Sequence, residues 1–159
     1  MILTELAGVT VYRACSQVGG RANRVGLNAL YMAFDHDTAI REYRQLSSLM
    51  PPGTLVSYNL TAAPIVDFTD GYESGKWSPL WEDFYCDWRH CWFNERIEPP
   101  SWILGDEVVA SGAKGILFKS RLKPDGTNLV LYTERLDATD HFDVYDPHNA
   151  LPRNQSSWD

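Results

Sequence analysis

Between residues 8 and 14, Val9, Val11 and Arg13 alternate with Thr10, Tyr12 and Ala14, the two-residue period of a strand whose faces see different surroundings. Arg13 therefore shares a face with two valines. A second alternation over 27–34 sets Ala29, Tyr31 and Ala33 on one face and Leu30, Met32 and Phe34 on the other. The alanines leave space beside the Tyr31 ring. The spacing then changes: after Asp35-His36-Asp37, an N-cap signal, the apolar residues Ala39, Tyr43, Leu46 and Leu49 predict a helix over 38–49, stopped by Pro51-Pro52-Gly53. Further strands are expected at 54–59, 65–68, 115–120 and 128–132, the last two joined in a hairpin by Pro124-Asp125-Gly126. The aromatic stretch 77–93 predicts a helix over 80–88, then irregular chain around Pro99-Pro100 and a short helix at 106–112. Without internal repeats or low-complexity tracts, these elements predict one α+β domain spanning 1–159, built on a mixed or antiparallel sheet.

A chain of 159 residues, 44% hydrophobic and 22% charged, has the size and composition of one soluble core. Its net charge of -7 and its 14 scattered basic residues exclude a nucleic-acid binder that works by neutralising phosphates. Any anionic ligand must instead be held by a few well-placed arginines. There is no basic-then-apolar leader and no apolar run of membrane-spanning length, so neither export nor a membrane partner is expected. Three cysteines, Cys15, Cys86 and Cys91, suit a reducing compartment, and the expected location is the cytoplasm.

Candidate chemistry comes from residues whose polarity conflicts with their position. On the predicted helix, Glu42 falls between Ala39, Leu46 and Leu49, while Arg41 and Arg44 face the other way. A carboxylate in an apolar stripe needs cations or donors, and arginines are the expected partners. Arg13 repeats the conflict, and Tyr31 and Ser120 set polar tips on faces otherwise small or apolar, Ser120 sharing its face with Ile116 and Phe118. The loop 18–26, with Gly19, Gly20 and Gly26, carries Arg21 and Arg24. An ordinary buried ion pair beside satisfied core residues accounts for the same pattern.

Cys86, Asp87, His90 and Cys91 form one loose cluster without the paired spacing of a structural zinc site, so no metal is expected. Gly19-Gly20 lacks the Lys and Ser/Thr of a phosphate-binding loop. His36, His141 and His148 read as solvated or capping residues.

The segments Val11-Tyr12-Arg13, Gly19-Gly20-Arg21-Ala22-Asn23, Ala29-Leu30-Tyr31-Met32-Ala33 and Thr38-Ala39-Ile40-Arg41-Glu42, followed by Gly115 to Arg121 and Asn128 to Tyr132, resemble the RES domain. Asp87-Trp88-Arg89, Pro100-Ser101-Trp102 and the ending 151–158 resemble one subgroup. The resemblance implies an ADP-ribosyltransferase-like fold and a toxin of a type II toxin-antitoxin pair, neutralised by an Xre-like antitoxin. It also implies an enzyme that consumes NAD+ as substrate, by hydrolysis, by phosphorolysis or by transfer of ADP-ribose to a protein. Phosphoribosyl pyrophosphate synthetase is the acceptor implied for the subgroup.

On that basis Glu42 is expected to bind the ribose hydroxyls and stabilise positive charge. Arg21 holds the pyrophosphate or orients Glu42, with Arg13 as second cation. Tyr31 stacks on nicotinamide, and Ser120 contacts ribose or steadies Glu42. Two positions depart from the family: Ala22 where Trp is common, and Leu46 where some members have His. A catalytically inactive nucleotide-binding or interaction module, and a ribonuclease, are the competing readings. The acidic charge and the lack of a His pair speak against the ribonuclease.

Overall fold

The computed structural model describes residues 2–14, 20–45, 47–49, 53–75 and 77–151. Six strands carry the described fold: β1 (Ile2–Ala14), β2 (Leu30–Ala33), β3 (Leu55–Asp67), β4 (Gly115–Lys119), β5 (Thr127–Leu131) and β6 (His141–Val144). Two helices, α1 (His36–Arg44) and α2 (Pro100–Ala110), flank them. The sheet order is β1-β2-β5-β4-β3-β6, and β1 also pairs with β3, so the ladder returns on itself. β3 and β4 run parallel while the other described pairings are antiparallel. The class is the expected α+β with a mixed sheet.

β1 and β3 pair almost end to end, from Ile2 opposite Asp67 to Ala14 opposite Leu55, with irregularities between Thr4 and Val9. Where the ladder closes, β1 meets β2 through one register pair, Tyr12 opposite Ala33. β4 reads Gly-Ile-Leu-Phe-Lys without alternation because both its faces are covered. Leu117 joins Leu129, Leu131, Met32, Leu60 and Ile65 in an inner core. Ile116 and Phe118 face an outer layer of Trp81, Phe84, Leu104 and Val108. Each large apolar side chain so buried contributes roughly 1.5–3 kcal/mol.

Several elements depart from the sequence expectation. The strands expected at 54–59 and 65–68 are one strand, β3. β6 was not foreseen, because only Phe142 in it is half-buried, stacked on Tyr58 at 4.7 Å. The helix expected at 80–88 is a short tight turn, Pro79–Asp83, followed by a wide helical turn at His90–Glu95. Three residues per turn bring Trp81 and Phe84 to one side, ring centroids 5.6 Å apart, and both are fully buried. The second helix starts at Pro100 rather than 106, since proline without an N–H is suited to a first turn. Glu107 of α2 reaches back to the aromatic layer, accepting from Trp81 Nε1 and Ser78 N.

Helix α1 begins as expected: Asp35 accepts hydrogen bonds from the Thr38 N–H and hydroxyl at 2.8 and 2.6 Å. It ends at Arg44, five residues early, because Gln45 turns into positive φ (54°). Leu49 is 78% exposed and Leu46 lies outside the described residues; of the apolar stripe expected along this helix, Ala39 is buried and Tyr43 is half-buried beside it. Beyond β5, the buried Lys114 ammonium pins the chain by ion pairs to Asp137 (2.8 Å) and Asp140 (2.7 Å).

Candidate active site

The loop after β1 is described from Gly20, and its shape is fixed from four directions. Asn23 Oδ1 accepts from the Gly20 N–H (2.9 Å) and from the Tyr31 hydroxyl (2.7 Å), and the Tyr31 oxygen accepts from the Ala22 N–H (2.8 Å). Trp102 Nε1 donates to the Gly20 carbonyl and the Tyr132 hydroxyl to that of Ala22, at 3.0 and 2.8 Å. Gly20 lies so close over Tyr31 that a Cβ there would collide with the ring, and one on Gly105 would collide with the Ala22 carbonyl. Ala22, standing where the resemblance leads to Trp, is fully buried.

The loop aims Arg21 inward. Its Nη1 donates to the carbonyls of Phe84 (3.1 Å) and Cys86 (2.8 Å), and the guanidinium lies 5.7 Å from the Tyr85 ring centroid. Burial lowers its pKa, Cys86, Tyr31 and Glu42 pull against that and Arg121 adds to it, and as a guanidinium it stays charged. Burial likewise pushes the Tyr31 hydroxyl far above its ordinary range, so it acts as a neutral donor and acceptor.

Glu42 meets Ser120, one of the partners expected of it, but not the arginines. Among the described residues neither Arg13 nor Arg21 approaches it as an ion pair. Its Oε1 instead accepts from the Ser120 hydroxyl at 2.7 Å and from Asn128 Nδ2 at 2.8 Å. Neutral donors can hold a carboxylate without cancelling its charge, which an arginine salt bridge would do. Among the described residues Oε2 is met only by a long approach from Gln45 Nε2, 3.5 Å. Ser120 Oγ also accepts from the Leu122 and Lys123 N–H groups, both at 3.1 Å, so its proton is committed to Glu42. Lys123 in turn pairs with Asp35 at the start of α1 (3.6 Å), and Gly126 packs against Thr38. The β4–β5 turn and the helix carrying Glu42 are thus one docked unit.

Arg13, Arg21, Tyr31 and Glu42 line one cavity of about 300 Å³, together with Asn128 and Arg89. That volume sits at the lower end of small-molecule sites, roughly 300–1,000 Å³. Ser120 stands behind Glu42 and opens instead onto a shallower depression with Tyr85, Lys119 and Arg121. Three arginines and one glutamate are among the residues lining this cavity, in a chain of net charge -7. The cavity is suited to a ligand with anionic groups and a hydroxylated part.

The sequence reading missed two residues of this wall. Asn128 lies on β5 opposite Ala33 and Phe118, on the face of Val130, so the conflict that singled out Ser120 applied to it equally. Arg89, seated 4.6 Å from the Trp88 ring centroid, comes from a segment whose aromatic spacing masked it. Cys86 and Cys91 are free thiols, and among the described residues no group of three or more His, Cys, Asp or Glu is arranged to hold a metal. No described helix is long and apolar enough to cross a membrane. Cys15, Gly19 and the ending 152–158 lie outside the described residues.

A family model, the RES domain, matches residues 7–154, nearly all of the chain and every residue of the cavity named above. The chain belongs to the RES-domain family. Among solved structures, this RES domain is similar in fold to a chain of the M. tuberculosis MbcT–MbcA toxin–antitoxin complex. The TM-score is 0.56 at 15% identity, over 91% of this chain and 85% of that one. A search of curated proteins gives no match.

Proposed function

We propose that this RES domain binds NAD+ in the cavity beside Glu42, breaks its nicotinamide–ribose bond, and acts as a toxin held in check by an Xre-like antitoxin. The observation that carries the reading is the Glu42 carboxylate, fixed through Oε1 by Ser120 and Asn128 and left open at Oε2, in a wall shared with Arg13, Arg21 and Tyr31. Family membership supports the toxin role, and the structural neighbour comes from a toxin–antitoxin complex.

Cleavage of the C1′–N bond sends the electron pair to nicotinamide, which leaves neutral from a cationic pyridinium. The sugar is left with oxocarbenium character. An ionised carboxylate held without a counter-cation offsets that developing charge, and Oε2 accepts a ribose hydroxyl. Arg13, Arg21 and Arg89 supply positive charge for the pyrophosphate, guanidinium forks being matched to phosphate oxygens. Tyr31 presents its ring beside Ala29 and Ala33 for the departing base. A nucleophile oxygen then donates its pair to C1′.

The test is release of nicotinamide from NAD+ by the purified chain and its Glu42→Gln variant. The variant keeps the shape and loses the charge, and release should fall by about 10²- to 10³-fold. Equal release by both proteins rejects the assignment. The products name the acceptor: ADP-ribose for water, its phosphate ester for inorganic phosphate, and labelled protein for transfer, with phosphoribosyl pyrophosphate synthetase as the first protein to try.

A further inference from the structure

Tyr85 ties down two basic positions at once. Its hydroxyl donates to the Lys119 carbonyl at 3.1 Å, and its own carbonyl accepts from Arg121 Nη1 at 3.0 Å. Lys119, Ser120 and Arg121 are consecutive at the end of β4, and all three line the depression behind Glu42, as do Tyr85, Thr69 and Asp70. The depression has a volume of about 510 Å³ and shares no lining residue with the cavity that holds Glu42. Pockets of roughly 300–1,000 Å³ take small molecules.

Its charges are not balanced from within. Both basic side chains are exposed, and among the described residues neither makes an ion pair, although the chain has 21 acidic residues for 14 basic ones. Two like charges set two residues apart repel each other, and Arg21, 5.7 Å from the Tyr85 ring centroid, adds to that repulsion. Asp70 is the one carboxylate lining the depression, so the wall keeps an excess of positive charge. Thr69 gives its hydroxyl proton and its N–H to Asp67 and donates nothing here. An anion relieves such a concentration of charge.

The geometry of the donors narrows the anion. Of the Arg121 guanidinium only Nη1 is engaged by a described residue, so Nε and Nη2 present a fixed fork to two oxygens. The Lys119 ammonium beside it serves a third. Three terminal oxygens on one centre describe a phosphate, whereas a carboxylate has only two. We infer that this depression is a second binding site, for a phosphate group, with Arg121 and Lys119 as its anchors and Tyr85 as the residue that positions both. A phosphate held here is not the nucleophile at C1′, because Ser120 stands between it and Glu42.

The experiment measures binding by calorimetry on the full chain, at constant ionic strength, with inorganic phosphate, ribose 5-phosphate and adenosine monophosphate. The natural chain should bind at least one of them with a Kd tighter than about 5 mM. Replacing both anchors, Lys119→Gln with Arg121→Gln, should weaken that binding about tenfold or more, while Arg13→Gln, in the other cavity, changes it less than about twofold. Thermal melting checks that each variant is folded. Tighter binding of an ester than of inorganic phosphate identifies a phosphorylated molecule as the occupant; equal or weaker binding of the esters identifies free phosphate. Absence of binding tighter than about 5 mM by all three overturns the site, as does equal binding by the natural chain and the double variant. Loss of the binding in Arg13→Gln overturns it too, since the anion would then sit among the arginines of the cavity. None of these measurements uses NAD+ turnover, so the site stands or falls apart from the function proposed above.

Discussion

Ser120 gives its hydroxyl proton to Glu42 Oε1 at 2.7 Å while its own oxygen accepts the Leu122 and Lys123 N–H groups. One side chain thereby ties the acid to a turn between two strands. A hydrogen bond to a charged group contributes roughly 1.5–3 kcal/mol, so Ser120→Ala should lower kcat for nicotinamide release roughly ten- to hundredfold, with KM much less affected. Ser120→Thr, which keeps the hydroxyl, should recover most of the rate. Steady-state kinetics of the two variants decide it, and equal loss in both points to the turn rather than the proton.

Tyr31→Phe keeps the ring and deletes the oxygen that accepts from the Ala22 N–H and donates to Asn23. A buried donor without its partner costs roughly 1–3 kcal/mol. At about 2–4 °C per kcal/mol for a protein of this size, calorimetry should show a Tm lower by several degrees. A Tm unchanged within a degree would mean the loop is held by Trp102 and Tyr132 alone.

Gly105→Ala separates two physical effects by sign. Helix propensity favours alanine by roughly 1 kcal/mol at an interior helical position. The new methyl, however, meets the backbone carbonyl of Ala22, which cannot rotate away as a side chain would. Overpacking of this kind costs about 1–3 kcal/mol, so denaturant unfolding should show a net loss of stability. A net gain would show that the loop 20–23 yields freely.

The pH dependence of stability follows from Lys114. Hydrogen bonds from the Lys114 ammonium, and then from Thr139, hold the Asp137 carboxyl below the usual carboxylate range. A depressed folded-state pKa means that the unfolded chain binds the proton more readily, so this stabilisation is present above the ordinary carboxylate pKa, roughly 4, and is lost as pH falls through the folded value. The melting temperature should stay level from pH 7 to about 5 on this account and decline below about pH 4. Asp137→Asn removes the titrating group and should make the acid decline shallower; an identical acid profile rejects the assignment.

Much of this site was legible because it rests on conflicts that survive in one dimension. Glu42, Arg13, Tyr31 and Ser120 each break a periodicity, and the structure brings the first three to one cavity and sets Ser120 behind Glu42. Of the partners of Glu42, Ser120 was expected from the resemblance and Asn128 was not: a buried acid asks for donors of any kind, and nothing local distinguishes an arginine fork from an amide 86 residues away. The early end of α1 escaped for a similar reason, since Leu46 and Leu49 keep the helical spacing that Gln45 interrupts by its backbone angle alone. The β1–β3 ladder and strand β6 depend on pairings between distant segments, and β6 offers only Phe142 as an apolar marker.

The closure of the sheet carries a mechanical consequence. Among the described residues, β1 and β3 are zipped by ten matched positions, whereas β1 and β2 share a single one, Tyr12 with Ala33. Both of those residues border the cavity. On that account the barrel-like ring is expected to yield first at this joint, beside the cavity. Amide hydrogens flanking that joint should exchange with solvent sooner than those buried in β4 and β5.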